Sequence, residues 1–148
     1  MKRQLFKASI VFILCIISIA CSFQTEPINY GSDNCSFCKM TIMDKKFGTE
    51  LVTSKGKVYK FDDAGCMVKF MKISTIQESD CKHIVLSSFD KSGGLIPFQK
   101  VYFVKSERFQ SPMLGNIAAF NSEMEAQKYI NSDSTSKSVL WTDLKDLF

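Results

Sequence analysis

An eight-residue pattern near the middle of the chain, anchored by its Gly and Phe, returns 59 positions later, and this duplication constrains the architecture more than any other feature. Gly56-Lys57-Val58-Tyr59-Lys60-Phe61-Asp62-Asp63 aligns with Gly115-Asn116-Ile117-Ala118-Ala119-Phe120-Asn121-Ser122. Downstream, Met67, Lys69, Phe70 and Met71 fall opposite Ala126, Lys128, Tyr129 and Ile130, keeping the character of each position except the first, where the apolar side chain shrinks. Each copy reads as strand, turn and helix. A glycine-led apolar run ends at Phe, an Asp pair or Asn-Ser pair offers an N-cap, and apolar residues then recur at helical spacing. Ser122 and Glu125 have the spacing of a capping box. Ahead of the first copy, Phe47–Val52 is strand-like and Ser54-Lys55-Gly56-Lys57 signals a hairpin turn. Ahead of the second, Gln99–Val104 is the equivalent strand, with a longer connection through Ser106 to Pro112. His83–Phe89 and Ser138–Trp141 supply the strand after each helix. The expected fold is α+β: two tandem ββαβ units, about 45–90 and 98–148, packed as one compact body.

A chain of 148 residues has room for such a body but not for two large independent domains. Its 45% hydrophobic and 23% charged residues, with 13 Phe, are those of a globular chain. The formal charge of +4 is front-loaded, because Lys2, Arg3 and Lys7 precede an apolar stretch from Ala8 to Ala20. Without those three, 16 basic residues face 15 acidic ones, and the clustered cations that a nucleic-acid backbone rewards are missing.

That first segment is an address. A basic start, an apolar run through Ile10-Val11-Phe12-Ile13-Leu14-Cys15-Ile16-Ile17 and the small-residue site Ser18-Ile19-Ala20-Cys21 make residues 1–20 a secretory signal, with an apolar run too short for a spanning helix. Ala20 directly before Cys21 resembles the bacterial lipobox, although Ser18 stands where Leu is usual. Cys21 is therefore the expected lipidation site, anchoring the chain to a bacterial membrane on the periplasmic side, with the choice of inner or outer membrane left open. Residues 21–34 have few core formers and end in Gly31-Ser32-Asp33-Asn34, so they read as a tether, and residues 35–148 as the folded domain.

Four cysteines remain for the body: Cys35, Cys38, Cys66 and Cys81. In an exported protein a disulfide is the plain expectation, and Cys35 with Cys38 or Cys66 with Cys81 would each serve. Cys66 lies in a helix beside the core and reads as an ordinary buried residue; Cys81 has no stronger assignment. Cys38-Lys39-Met40 is different. In an extended segment, residues i and i+2 share a side, which brings a thiolate and a thioether toward one point. Two soft donors favour Cu(I), whereas zinc draws on thiolate, imidazole and carboxylate. Cys35 is a further candidate ligand. Met113, held in Pro112-Met113-Leu114-Gly115, is the best-placed distant donor, because Met67, Met71 and Met124 sit at helical spacing as core residues and Met43 reads as simple packing. The single histidine, His83, opens an apolar strand and is a weaker candidate. Asp62-Asp63 is explained as a helix cap.

The ordered set Cys35-Ser-Phe-Cys38-Lys-Met40, Gly56-Lys-Val-Tyr-Lys-Phe61-Asp62-Asp63-Ala-Gly-Cys66-Met67, Ser111-Pro-Met113 and Ala118-Ala-Phe120 resembles the NosL family, lipoproteins associated with nitrous oxide reductase. The resemblance implies a non-enzymatic Cu(I) chaperone that delivers copper to the copper-sulfide centre of that reductase during denitrification. It also implies a duplicated ββαβ fold related to the organomercurial lyase. Cys38 and Met40 match the family's Cys-x-Met motif and Met113 its distal methionine. Two departures stand out: Lys39 where the family commonly has Gly, and Leu114 where Gly often follows the methionine. The competing expectation is a membrane-tethered thiol-disulfide oxidoreductase using Cys35 and Cys38. That chemistry wants a helix after the first cysteine, and Thr41-Ile42-Met43 is a poor helix start. An organomercurial-lyase-like enzyme ranks below both.

Overall fold

The computed structural model of the protein describes residues 23–91 and 93–148, so the expected signal segment and the expected lipidation site at Cys21 lie outside the described residues. The first unit consists of β1 (Thr49–Thr53), β2 (Val58–Phe61), α1 (Ala64–Ile73) and β3 (Cys81–Ser87). A short strand, β4 (Leu95–Pro97), leads into the second unit: β5 (Tyr102–Lys105), β6 (Ile117–Phe120), α2 (Glu123–Ser132) and β7 (Lys137–Val139), followed by α3 (Trp141–Leu147). The strand orders are β2-β1-β3-β4 and β6-β5-β7, all antiparallel, so in each unit the first strand is central. The two ββαβ units are thus built alike. No helix among the described residues is long and apolar enough to cross a membrane.

The duplication holds residue by residue from the second strand to the end of the helix. Both helices are capped at matching positions, Asp63 accepting from the Cys66 amide and Ser122 from the Glu125 amide. Only half of the expected capping box forms, because the Glu125 carboxylate pairs with Lys128. The hairpins differ. Val52 pairs with Val58, leaving 53–57 to turn, whereas Lys105 pairs with Ile117, leaving 106–116 as a long loop that contains Met113.

Period-two alternation places the second sheet between two apolar surfaces. Phe103, Ile117, Ala119 and Val139 join the main cluster with Leu51, Phe61, Met67, Val68 and Ile84 of the first unit. Val104, Ala118 and Phe120 point the other way, onto Ala126 and Tyr129 of α2 and onto Phe109. The aligned Phe61 and Phe120 are both fully buried, and truncating either to Ala would cost about 3–5 kcal/mol. Backbone bonding also joins the sheets, where the Phe89 amide donates to the Ala119 carbonyl.

Three local readings shift. The strand expected at Ser138–Trp141 ends at Val139, and Trp141 opens α3, which has no side-chain cap to announce it. Of the expected strand Gln99–Val104, Gln99 belongs to a 3-10 turn and the strand begins at Tyr102. Met124, expected in the core, is exposed. Within the stretch read as a tether, residues 26–33 lie against the first sheet. Ile28 is buried, the Tyr30 hydroxyl bonds Ser87, and Lys60 Nζ reaches both the Pro27 carbonyl and Asp33 at 2.8 Å.

Candidate metal centre

The strap formed by residues 26–33 ends in a tight loop that carries the first two thiols. A bridge between Asn34 and Thr41 closes its base, the Cys35 amide donates to the Met40 carbonyl at 2.8 Å, and the Lys39 amide returns to the Cys35 carbonyl at 3.0 Å. The Ser36 amide bonds the Lys60 carbonyl at 2.8 Å, seating the loop on β2. Lys39 turns the chain with φ 67°, so Cys38-Lys39-Met40 is not the extended segment expected from its sequence. A left-handed residue breaks the i, i+2 alternation. The turn folds Cys35 toward Cys38 instead, and leaves Met40 56% exposed.

A third thiol comes from α1. Cys66 is the third residue of the helix, fully buried, and its sulfur lies within 4.8 Å of those of Cys35 and Cys38, which are likewise within 4.8 Å of each other. Reading Cys66 as an ordinary core residue therefore missed its partners, which approach from a loop about 30 positions upstream. The available signal was the broken repeat, since Cys66 replaces the acidic Glu125. Cys81 and His83 are not part of this group; the Cys81 thiol bonds the Gln77 carbonyl, and burial pushes it up to about 11. All four body cysteines are free thiols.

The three sulfurs share protons unequally. The Cys66 thiol bonds Cys35, and this, with backbone groups of Asp62, Cys38 and Phe37, outweighs burial and holds Cys35 down at about 5. Cys66 is pushed far up because its proton is committed to Cys35 and because it is buried. Cys38 is raised by burial and by its charged neighbour Cys35. Of the three, Cys35 is thus the thiol that gives up its proton most readily. The buried Asp62 feels the resulting charge. Burial, then Cys35 and Asp63, raise its carboxyl to about 6, and its Oδ1 has no hydrogen-bond partner among the described residues.

Such a set suits a soft cation. With a metal–sulfur bond of about 2.3 Å, three sulfurs in a trigonal plane stand about 4 Å apart, so a small inward movement completes the geometry. Closed zinc sites take four ligands, and no imidazole or carboxylate joins this group among the described residues. Cys35 and Cys38 sit in a turn with no helix behind it, unlike the helix N-terminus that activates a thioredoxin-type thiol.

Met113 approaches from the second unit. It is half-buried, packs against the same core cluster as Cys38, and its amide donates to Asp63 Oδ2 at 3.2 Å, while Asp63 Oδ1 caps Cys66 at 2.8 Å. A Cβ at Gly115 would stand 2.7 Å from the Phe148 ring, which also covers Gly65 of α1, so any side chain there would have to displace that ring.

A family model for NosL matches residues 28–146. The chain belongs to the NosL family. Its fold is similar to the crystal structure of the copper chaperone NosL from Shewanella denitrificans, with a TM-score of 0.66 at 18% identity, over 80% of this chain and 93% of that one. No curated protein matches the chain in sequence. NosL membership gives the two departures a physical meaning. Lys39 (φ 67°) and Leu114 (φ 56°), which stand where the resemblance expects glycine at or near each motif, both occupy the left-handed region. Holding a non-glycine side chain there costs about 1–2 kcal/mol per residue relative to right-handed geometry.

Proposed function

We propose that this chain is a Cu(I) chaperone of the cell envelope, tethered by lipid at Cys21 on the periplasmic side, that carries copper to nitrous oxide reductase for assembly of its copper-sulfide centre. The observation that carries the reading is the convergence of three sulfurs within 4.8 Å from two distant segments. Soft thiolates select Cu(I) over the harder divalent ions. Copper entering the cluster displaces the protons of Cys66 and Cys38, the two thiols whose environment favours the protonated form. Cys38 is half-buried and Met40 exposed, whereas Cys35 and Cys66 are fully covered. An incoming donor sulfur from a recipient would therefore meet the metal on the Cys38–Met40 side, and exchange of one ligand at a time would move the ion. The family membership and the signal-like first 21 residues support export and delivery as the setting.

The test is an anaerobic titration with Cu(I) against a chromogenic Cu(I) chelator, followed by mixing with copper-free nitrous oxide reductase. One equivalent is expected to bind, with ultraviolet thiolate-to-copper absorption, and to pass to the reductase. Cys38→Ser should weaken binding by at least about 100-fold. Binding unchanged by Cys38→Ser would sink the copper reading, and a loaded protein that transfers nothing to the reductase would sink the delivery.

A further inference from the structure

The cap of α1 does more than capping requires. Ser122, at the same position of the second unit, caps α2 with a single hydroxyl accepting from the Glu125 amide. Asp63 places a buried carboxylate there, 2% exposed, beside thiols that must carry negative charge to hold a metal. A serine would cap without that electrostatic penalty. The second oxygen is where the carboxylate differs. Asp63 Oδ2 accepts from the Ser111 hydroxyl at 3.0 Å and from the Met113 amide at 3.2 Å, both on the long loop of the other unit. Ser111, itself 2% exposed, in turn accepts from the Asn116 amide at 3.0 Å, so the C-terminal half of the loop is gathered onto one carboxylate. Left to itself, the loop of residues 106–116 would sample many conformations, and ordering it costs about 1–2 kcal/mol per residue.

We infer that Asp63 is a positioning residue for copper: one oxygen holds the helix turn that presents Cys66, the other holds the Met113 amide, and the loop that carries the second unit's thioether is thereby kept in register with α1. The inference rests on the copper reading and adds to it a division of labour. The thiols bind the ion; Met113 closes over it only while Asp63 keeps the two units in register. A hydrogen bond donated by an amide to a carboxylate is stronger than one to a neutral acceptor, which suits a clamp that must hold a loop across a unit boundary.

A double-mutant cycle separates this from plain stability. Anaerobic Cu(I) affinity is measured for the wild-type protein, Met113→Ala, Asp63→Ser and the double variant, with the copper–sulfur count read by X-ray absorption. Asp63→Ser installs the second unit's own cap, and Asp63→Asn, which keeps the side-chain shape but loses one acceptor, is run in parallel. In the wild-type background Met113→Ala should weaken Cu(I) about tenfold and remove one sulfur from the copper shell. In either Asp63 variant, the same change should alter affinity by less than about twofold, while the thiolate-to-copper absorption persists. Equal losses in both backgrounds, or no loss from Met113→Ala in the wild type, would overturn the inference and leave the copper reading standing. A wild-type protein that takes up no Cu(I) would remove both.

Discussion

The two units share a frame and differ in what they bury. In each, the first strand is central, the helix starts at the same offset from an aligned phenylalanine, and a polar residue caps it. Yet α1 buries Ala64, Gly65, Cys66, Met67, Val68 and Met71, while α2 buries only Ala126. At four aligned positions the second unit carries the plainer side chain for its setting: Ala119 for Lys60, Asn121 for Asp62, Ser122 for Asp63, and the partly exposed Glu125 for Cys66. Thiols can share a proton and shed it to a metal only where water does not compete, and α1 is the helix that provides such a place. The second unit lacks that interior and contributes a longer hairpin loop instead. Duplication supplied two equal scaffolds, and unequal burial assigned them different work.

The sharpest way to break this comparison is to make the same change at aligned positions. Cys66→Ser should lower Cu(I) affinity by about 100-fold or more in chelator competition, and Glu125→Ser by no more than about twofold. Equal effects would mean that the helices are interchangeable. A smaller effect should follow from Asp62→Asn, which copies Asn121. Asp62 has a folded pKa of about 6, above its ordinary 3.8. Its raised value favours the fold fully below the ordinary value, and that contribution is lost as pH rises through about 6. The variant should therefore be more stable at pH 7 by about 1–3 kcal/mol, and its stability should vary less between pH 4 and 6, as read by denaturant midpoints. A variant no more stable than the parent at pH 7 would show that Asp62 carries no buried charge. The smallest effect concerns what the units share. Lys39→Gly and Leu114→Gly each relieve a left-handed side chain and should raise stability by about 0.5–1 kcal/mol, partly offset by the greater freedom of glycine when unfolded. A gain at one site only would mean that the two turns are not equivalent devices.

Much of this was legible because it is local. Strand alternation, the Asp63 and Ser122 caps and the helical spacing behind them are set within a few residues, and the duplication doubled the signal. The sequence also pointed to a sulfur site at Cys35–Met40, but not to its shape. The left-handed turn at Lys39 is a backbone choice that a non-glycine residue adopts only under tertiary constraint, so an extended segment was the natural reading. Cys66 was invisible as a partner because helix periodicity reports that a face is buried, not what faces it. β4 was too short, and ends in Pro97, to register as a strand. The strap over residues 26–33 has no periodicity at all; its attachment depends on Lys60, whose ammonium reaches acceptors about 30 positions upstream.

The clamp at Asp63 has a consequence in time. Its bonds to Ser111 and Met113 close loops of 48 and 50 positions, and contacts so distant in sequence form late, after the local hairpins and helices have paid their own closure entropy. A copper ion met before that moment finds the thiols without the second unit's loop fastened to α1. One met afterwards finds that loop already in place, and its binding then stabilises only the finished protein. The topology thus sets an order of assembly, with the vessel completed before it is filled.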